Sequence, residues 1–121
     1  MNLKLVLGGV LAVVVLASIY LAVGGSPLAF ADDASPVLYF YSDTCQFCLK
    51  QKPILEELSA EGYRVKLMDV GRNTALWRQY NISGTPTFIA DNGKGERLVG
   101  LTPKDQLRAF FDQNGAKIAA A

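Results

Sequence analysis

Cys45 and Cys48 are the only cysteines in this 121-residue chain, and they stand three apart in Cys45-Gln46-Phe47-Cys48. Two thiols at that spacing can make and break a disulfide with each other, which is two-electron thiol–disulfide exchange. The competing reading is a structural staple, and its weakness is its size. A bond closing a four-residue loop removes little freedom from the unfolded chain, about 2 kcal/mol on the entropic model. The chain has no histidine. That excludes Cys–His and Ser–His catalysis, imidazole metal sites, and haem attachment at Cys-x-x-Cys-His, where Leu49 stands instead. Two thiols without imidazole cannot complete a four-ligand zinc site of Cys and His within one chain. No organic cofactor is implied, and none beyond the redox-active Cys45–Cys48 pair is expected. Twelve Lys and Arg against eleven Asp and Glu give a net charge of +1, with no basic cluster. This argues against nucleic-acid binding and against electrostatic attachment to anionic lipid.

The pair needs elements to hold it. Val37-Leu38-Tyr39-Phe40-Tyr41 is aromatic and β-branched without a polar break, which suits a strand buried on both faces. Ser42-Asp43-Thr44 is a loop with N-cap chemistry, and a helix should run from Cys45 to Ala60 with Leu49, Ile54, Leu55 and Leu58 as its apolar side. Free N–H groups and the dipole at that helix start favour a thiolate at Cys45, which makes it the attacking sulfur. Cys48, one turn on and turned towards the protein, would resolve a mixed disulfide. Gln46 and Phe47 bring no charge. Phe47 either offers an apolar contact to a polypeptide substrate or is an exposed ring without a task. Lys50, Lys52, Glu56 and Glu57 read as a solvated helix face, and Pro53 predicts a kink.

Beyond the stop at Gly62, Tyr63 to Val70 alternates as a second strand, and Thr74 to Tyr80 forms a short helix in which Trp77 and Tyr80 read as core or core-edge. Pro86 to Ala90 is a strand, Asp91 to Gly95 a hairpin turn, and Glu96 to Gly100 the return strand. Thr102 caps a last helix with Pro103 in its first turn; that helix carries Leu107, Phe110 and Phe111 and ends near Asn114-Gly115. Ala116 to Ala121 reads as a frayed tail. The order is βαβαββα.

Residues 1–31 are a different material from residues 32–121. After Lys4, Leu5 to Val23 is apolar and uncharged, Gly24-Gly25-Ser26-Pro27 breaks any helix, and Ala29-Phe30-Ala31 fits the small-x-small rule of signal peptidase. A run of this length also suffices to span a bilayer. Residues 1–31 are therefore a cleaved signal peptide or an N-terminal membrane anchor, with the Ala-x-Ala site tipping the balance to cleavage. Either way residues 32–121 lie outside the cytoplasm, periplasmic or extracytoplasmic, soluble if cleaved after Ala31 and otherwise anchored in the inner membrane through residues 5–23.

Residues 36–114 resemble the thioredoxin-fold family on three features in order: Cys45-x-x-Cys48 after the first strand, Pro53 five residues after the second cysteine, and Gly84-Thr85-Pro86-Thr87 matching the family's cis-proline loop. The resemblance implies an α/β fold with a central four-stranded mixed sheet flanked by helices, in a minimal, glutaredoxin-sized form lacking any strand or helix before Val37. It also implies a cis peptide before Pro86 beside the dithiol, leaving the Thr85 backbone to pair with an extended substrate. Thr44 stands where thioredoxins carry tryptophan, Gln46-Phe47 replaces Gly-Pro, and the first strand has no buried acid. The expectation is an exported thiol–disulfide oxidoreductase acting on cysteines of other envelope proteins, with a redox partner that reduces or oxidises its dithiol. The alternatives are a non-catalytic thioredoxin-like binding module, or a Cu(I) carrier using the same thiols. The direction of electron flow is not set by these residues.

Overall fold

The first strand organises the molecule because both of its faces are buried. In the computed structural model, which describes residues 28–120, Leu38–Tyr41 forms β1, and Val37, Leu38, Tyr39 and Phe40 are almost inaccessible to solvent. Gln46–Ser59 forms α1, Lys66–Asp69 β2, Ala75–Gln79 α2, Thr87–Ile89 β3, Arg97–Val99 β4 and Lys104–Gln113 α3. The sheet order is β2-β1-β3-β4, with β1 parallel to β2 and antiparallel to β3, and β3 antiparallel to β4. Side chains alternate across β1. Tyr39 therefore joins Leu55, Leu58, Phe88, Leu107 and Phe111 under α1 and α3, whereas Leu38 and Phe40 join Val70, Leu76, Ile82 and Ile89 under α2. The βαβαββα order and the mixed four-stranded sheet follow the sequence reading. The apolar run Leu5 to Val23 and the link Gly24 to Pro27 lie outside the described residues. No helix among the described residues is long and apolar enough to cross a membrane.

Several local expectations are corrected. The inward residues of α1 include Cys48, Gln51, Leu55 and Leu58, while Leu49 is 59% exposed. The helical period places position 51 inward, and a polar residue there hides the stripe from a reading by residue type. Cys45, rather than the preceding Ser-Asp-Thr loop, is the N-cap of α1. Pro103 is the N-cap of α3 and Thr102 is buried before it. Tyr80 packs at the edge of the smaller core as read, whereas Trp77 is 37% exposed.

The alternation from Tyr63 to Val70 merges three different pairings: only Lys66–Asp69 pairs with β1, Val65 bridges Ala31 in parallel, and Tyr63 bridges Lys117 antiparallel. Residues 116–119 of the tail are stitched down, not frayed. Ala116 is buried, its carbonyl accepts the Arg64 N–H at 2.9 Å, and the Ala119 N–H donates to the Gly62 carbonyl at 3.1 Å. Gly62 permits this approach at φ +99°, where a Cβ would collide with the Ala119 carbonyl. The segment before Val37 also contributes, through the Ala31–Val65 bridge and the buried ring of Phe30.

Candidate active site

Cys45 and Cys48 are joined as a disulfide at the start of α1, with their Cα atoms 5.1 Å apart. The Cys45 sulfur does the work of an N-cap side chain, accepting the backbone N–H of Cys48 at 3.1 Å. That N–H is one of the four unpaired donors at a helix start. A thiolate at Cys45 would meet the same donor with a full negative charge, a stronger acceptor than neutral sulfur. Cys45 is partly exposed, whereas Cys48 is 5% exposed. The two sulfurs are therefore unequal: one faces solvent and the helix end, and the other faces the protein.

The loop before β3 meets this pair. The Thr85–Pro86 peptide is cis, as expected from the resemblance, and the Thr85 carbonyl oxygen lies 3.4 Å from the Cys45 sulfur. A disulfide sulfur carries no proton, so this is a packing contact here; a reduced Cys45 thiol could donate across it. Pro86 is buried, its carbonyl accepts the Gly100 N–H at 2.8 Å, and the Thr87 hydroxyl donates to the Gly84 carbonyl at 2.7 Å. No backbone hydrogen bond among the described residues engages the Thr85 N–H. Cys45, Cys48, Thr85 and Pro86 are thus brought together. Phe47 is 55% exposed, with the Lys50 ammonium 5.6 Å above its ring.

Two parts of the site escaped the sequence reading. Gln51 is completely buried one turn below Cys48, donating to the Thr102 carbonyl at 3.0 Å and accepting the Thr102 N–H at 2.8 Å. It ties the dithiol helix to the segment whose Gly100 holds Pro86. The signal was available in its position, three after Cys48 and four before Leu55, had period been weighed above polarity. The second part is a cavity of about 380 Å³ beside Cys48, with Leu28, Phe30, Tyr39 and Tyr41 in its apolar wall and Lys52 and Asp69 among its charged groups. Tyr39 lies on β1, the strand that carries no acid, and stacks between Tyr41 and Phe88 with ring centres at 5.3 and 4.8 Å. Burial, with a smaller contribution from Tyr41, pushes its phenol well above the usual range, so it stays protonated at neutral pH. Burial and the neighbouring carboxylates of Asp69 and Asp43 also raise the Tyr41 phenol. Among the described residues, no three acidic or cysteine side chains are grouped so as to hold a metal ion.

Comparison with known proteins gives a consistent picture. The Thioredoxin family model matches residues 29–113. The chain is 36% identical over 91 residues to thioredoxin C-2 of Corynebacterium nephridii, a match spanning 69% of this chain and 82% of that one. It is 31% identical over 81 residues to thioredoxin of Staphylococcus aureus, spanning 62% and 77%. Among solved structures, a mutant thioredoxin from Halobacterium salinarum NRC-1 superposes with a TM-score of 0.58 at 29% identity, covering 73% of this chain and 81% of that one.

Proposed function

The chain belongs to the thioredoxin family and is a thiol–disulfide oxidoreductase, and we propose that it works outside the cytoplasm, exchanging disulfides with envelope proteins through Cys45 and Cys48. The observation that carries the assignment of roles is the asymmetry of the pair, with Cys45 at the helix end against Thr85 and Cys48 buried behind it. In the reducing direction, the Cys45 thiolate attacks one sulfur of a substrate disulfide and the other sulfur leaves as a thiolate. The Cys48 thiolate then attacks Cys45, releasing the second substrate thiol and closing the Cys45–Cys48 disulfide. Two electrons have passed to the substrate, and a redox partner restores the dithiol. The oxidising direction is the same sequence reversed.

The unengaged Thr85 N–H offers a backbone partner to an extended substrate segment, Pro86 floors that groove, and Phe47 offers an apolar contact at its edge. Members of the family act on disulfide-containing substrates with a reductase partner. Export rests on the sequence, namely the uncharged run Leu5 to Val23 with Lys4 before it, which serves a leader and an anchor alike.

The test is trapping. In Cys48→Ser the mixed disulfide on Cys45 cannot be resolved, so substrates should accumulate as adducts that reductant releases. The adducts should be exported proteins, and Cys45→Ser should abolish them. Absence of adducts above the double-serine background would sink the assignment of roles, and adducts made only with cytoplasmic proteins would sink the export reading.

A further inference from the structure

The stretch that reads as a cleavage site is built into the folded domain. Phe30 is 3% exposed and belongs to the larger core. Its carbonyl accepts the Val65 N–H at 2.8 Å, and the Asp32 N–H donates to the Val65 carbonyl at 2.9 Å, so residues 30–32 bracket Val65 in the parallel bridge through Ala31. Leu28 packs on the same core, and the Ala31 N–H closes a turn onto its carbonyl at 3.1 Å. Leu28 and Phe30 also line the cavity beside Cys48. The family match itself begins at Ala29, three residues before Asp32.

Cleavage after Ala31 would discard a core aromatic ring, strip Val65 of one of the hydrogen bonds that bracket it, and open the cavity onto the buried sulfur. A leader is recognised in an extended, accessible form and then lost, so nothing in that role requires its last residues to pack. We propose that Leu28–Ala31 is a structural segment of the redox domain and the shield of Cys48, so that the chain is not matured by cleavage after Ala31 and stays joined to residues 5–23 as a tether. The tether rests on the export reading above; the shield does not.

Two measurements on the full chain decide this. In an exporting bacterium, the accumulated protein should fractionate with the membrane and its intact mass should include Phe30; a soluble product beginning at Asp32 would overturn the proposal. If the chain stays in the cytoplasm, the export reading falls, and Phe30→Ala in the detergent-solubilised full chain still decides the structural half. That variant should lower the unfolding midpoint by more than about 10 °C. In a reduced Cys45→Ser background it should also speed alkylation of Cys48 several-fold. Phe110→Ala, equally buried but not a lining residue of the cavity, should lower the midpoint without that acceleration. Phe30→Leu provides a folded intermediate, expected to lose only a few degrees. An unchanged midpoint in Phe30→Ala overturns the structural role, and unchanged alkylation overturns the shield.

Discussion

Replacing Gln51 by leucine should destabilise the protein although it makes the helix face look better. The side chain is fully buried and makes two hydrogen bonds to one residue, Thr102, whose backbone is itself in a 4% exposed position. Leucine fills most of the space but leaves a buried N–H and a buried C=O without partners. Each unsatisfied group costs about 1–3 kcal/mol, and the gain from burying the leucine methyl groups offsets part of that, for a net loss of about 3 kcal/mol. In a domain of this size that lowers the thermal midpoint by roughly 12–24 °C. Gln51→Glu makes the reasoning sharper. A protonated glutamic acid can still donate to the Thr102 carbonyl and accept from its N–H, whereas a carboxylate sets a charge against the carbonyl. The folded-state pKa of that introduced group would be raised, so the variant should be most stable at low pH and lose stability as pH rises past the ordinary carboxylate range. Urea unfolding from pH 4 to 8, with the disulfide intact and then reduced, measures both effects. A Gln51→Leu variant within about 0.5 kcal/mol of the parent, or a Gln51→Glu curve parallel to it, would refute the clamp.

Two further outcomes are expected. Tyr63 donates its phenol proton to the Asp112 carboxylate, and that bond, with burial second, raises its pKa from 10.0 to about 12. The folded state holds this proton more tightly, so the contribution is complete below pH 10 and disappears as pH climbs towards 12. Stability relative to Tyr63→Phe should therefore converge across that window, and parallel alkaline titrations would contradict it. Gly93 sits at φ +94° with space for a Cβ only 2.5 Å from the Tyr80 ring. Gly93→Ala should cost about 1–3 kcal/mol in chemical denaturation, while Gly84→Ala, with nothing within 4 Å, should be nearly neutral. Equal losses in the two variants would count against this account.

What could be read from the sequence was whatever depends on residue type along a short stretch. The uninterrupted apolar run at Val37–Tyr41 sufficed to identify the central strand, because burial on both faces needs no register. The dithiol at a helix start and the proline loop were visible because their spacing is itself the signal. Gln51 was missed because a polar residue at an inward period position looks like a break in the stripe. Phe30, Ala31 and the tail were misjudged for a different reason. Their pairing with Val65, Arg64 and Gly62 joins segments separated by some 30 to 60 residues, and no local pattern encodes such a pairing. The Cys48 cavity is equally non-local, since its wall combines residues before β1, on β1, on β2 and on α1.

The order in which these pieces leave the ribosome has its own consequence. Cys45 and Cys48 emerge almost together, with β1 just ahead of them, while the Thr85 carbonyl that will face Cys45 is 40 residues further along the chain. The first partner strand of β1 begins at Lys66 and the second at Thr87, so neither flank of the sheet exists when the sulfurs first meet solvent. A disulfide enclosing two residues needs no tertiary structure to form. The nascent chain therefore presents a bare dithiol to whatever oxidant or reductant surrounds it, before any burial distinguishes one cysteine from the other. The first redox state of each new molecule records the compartment, and only completion of the sheet makes it a property of the protein.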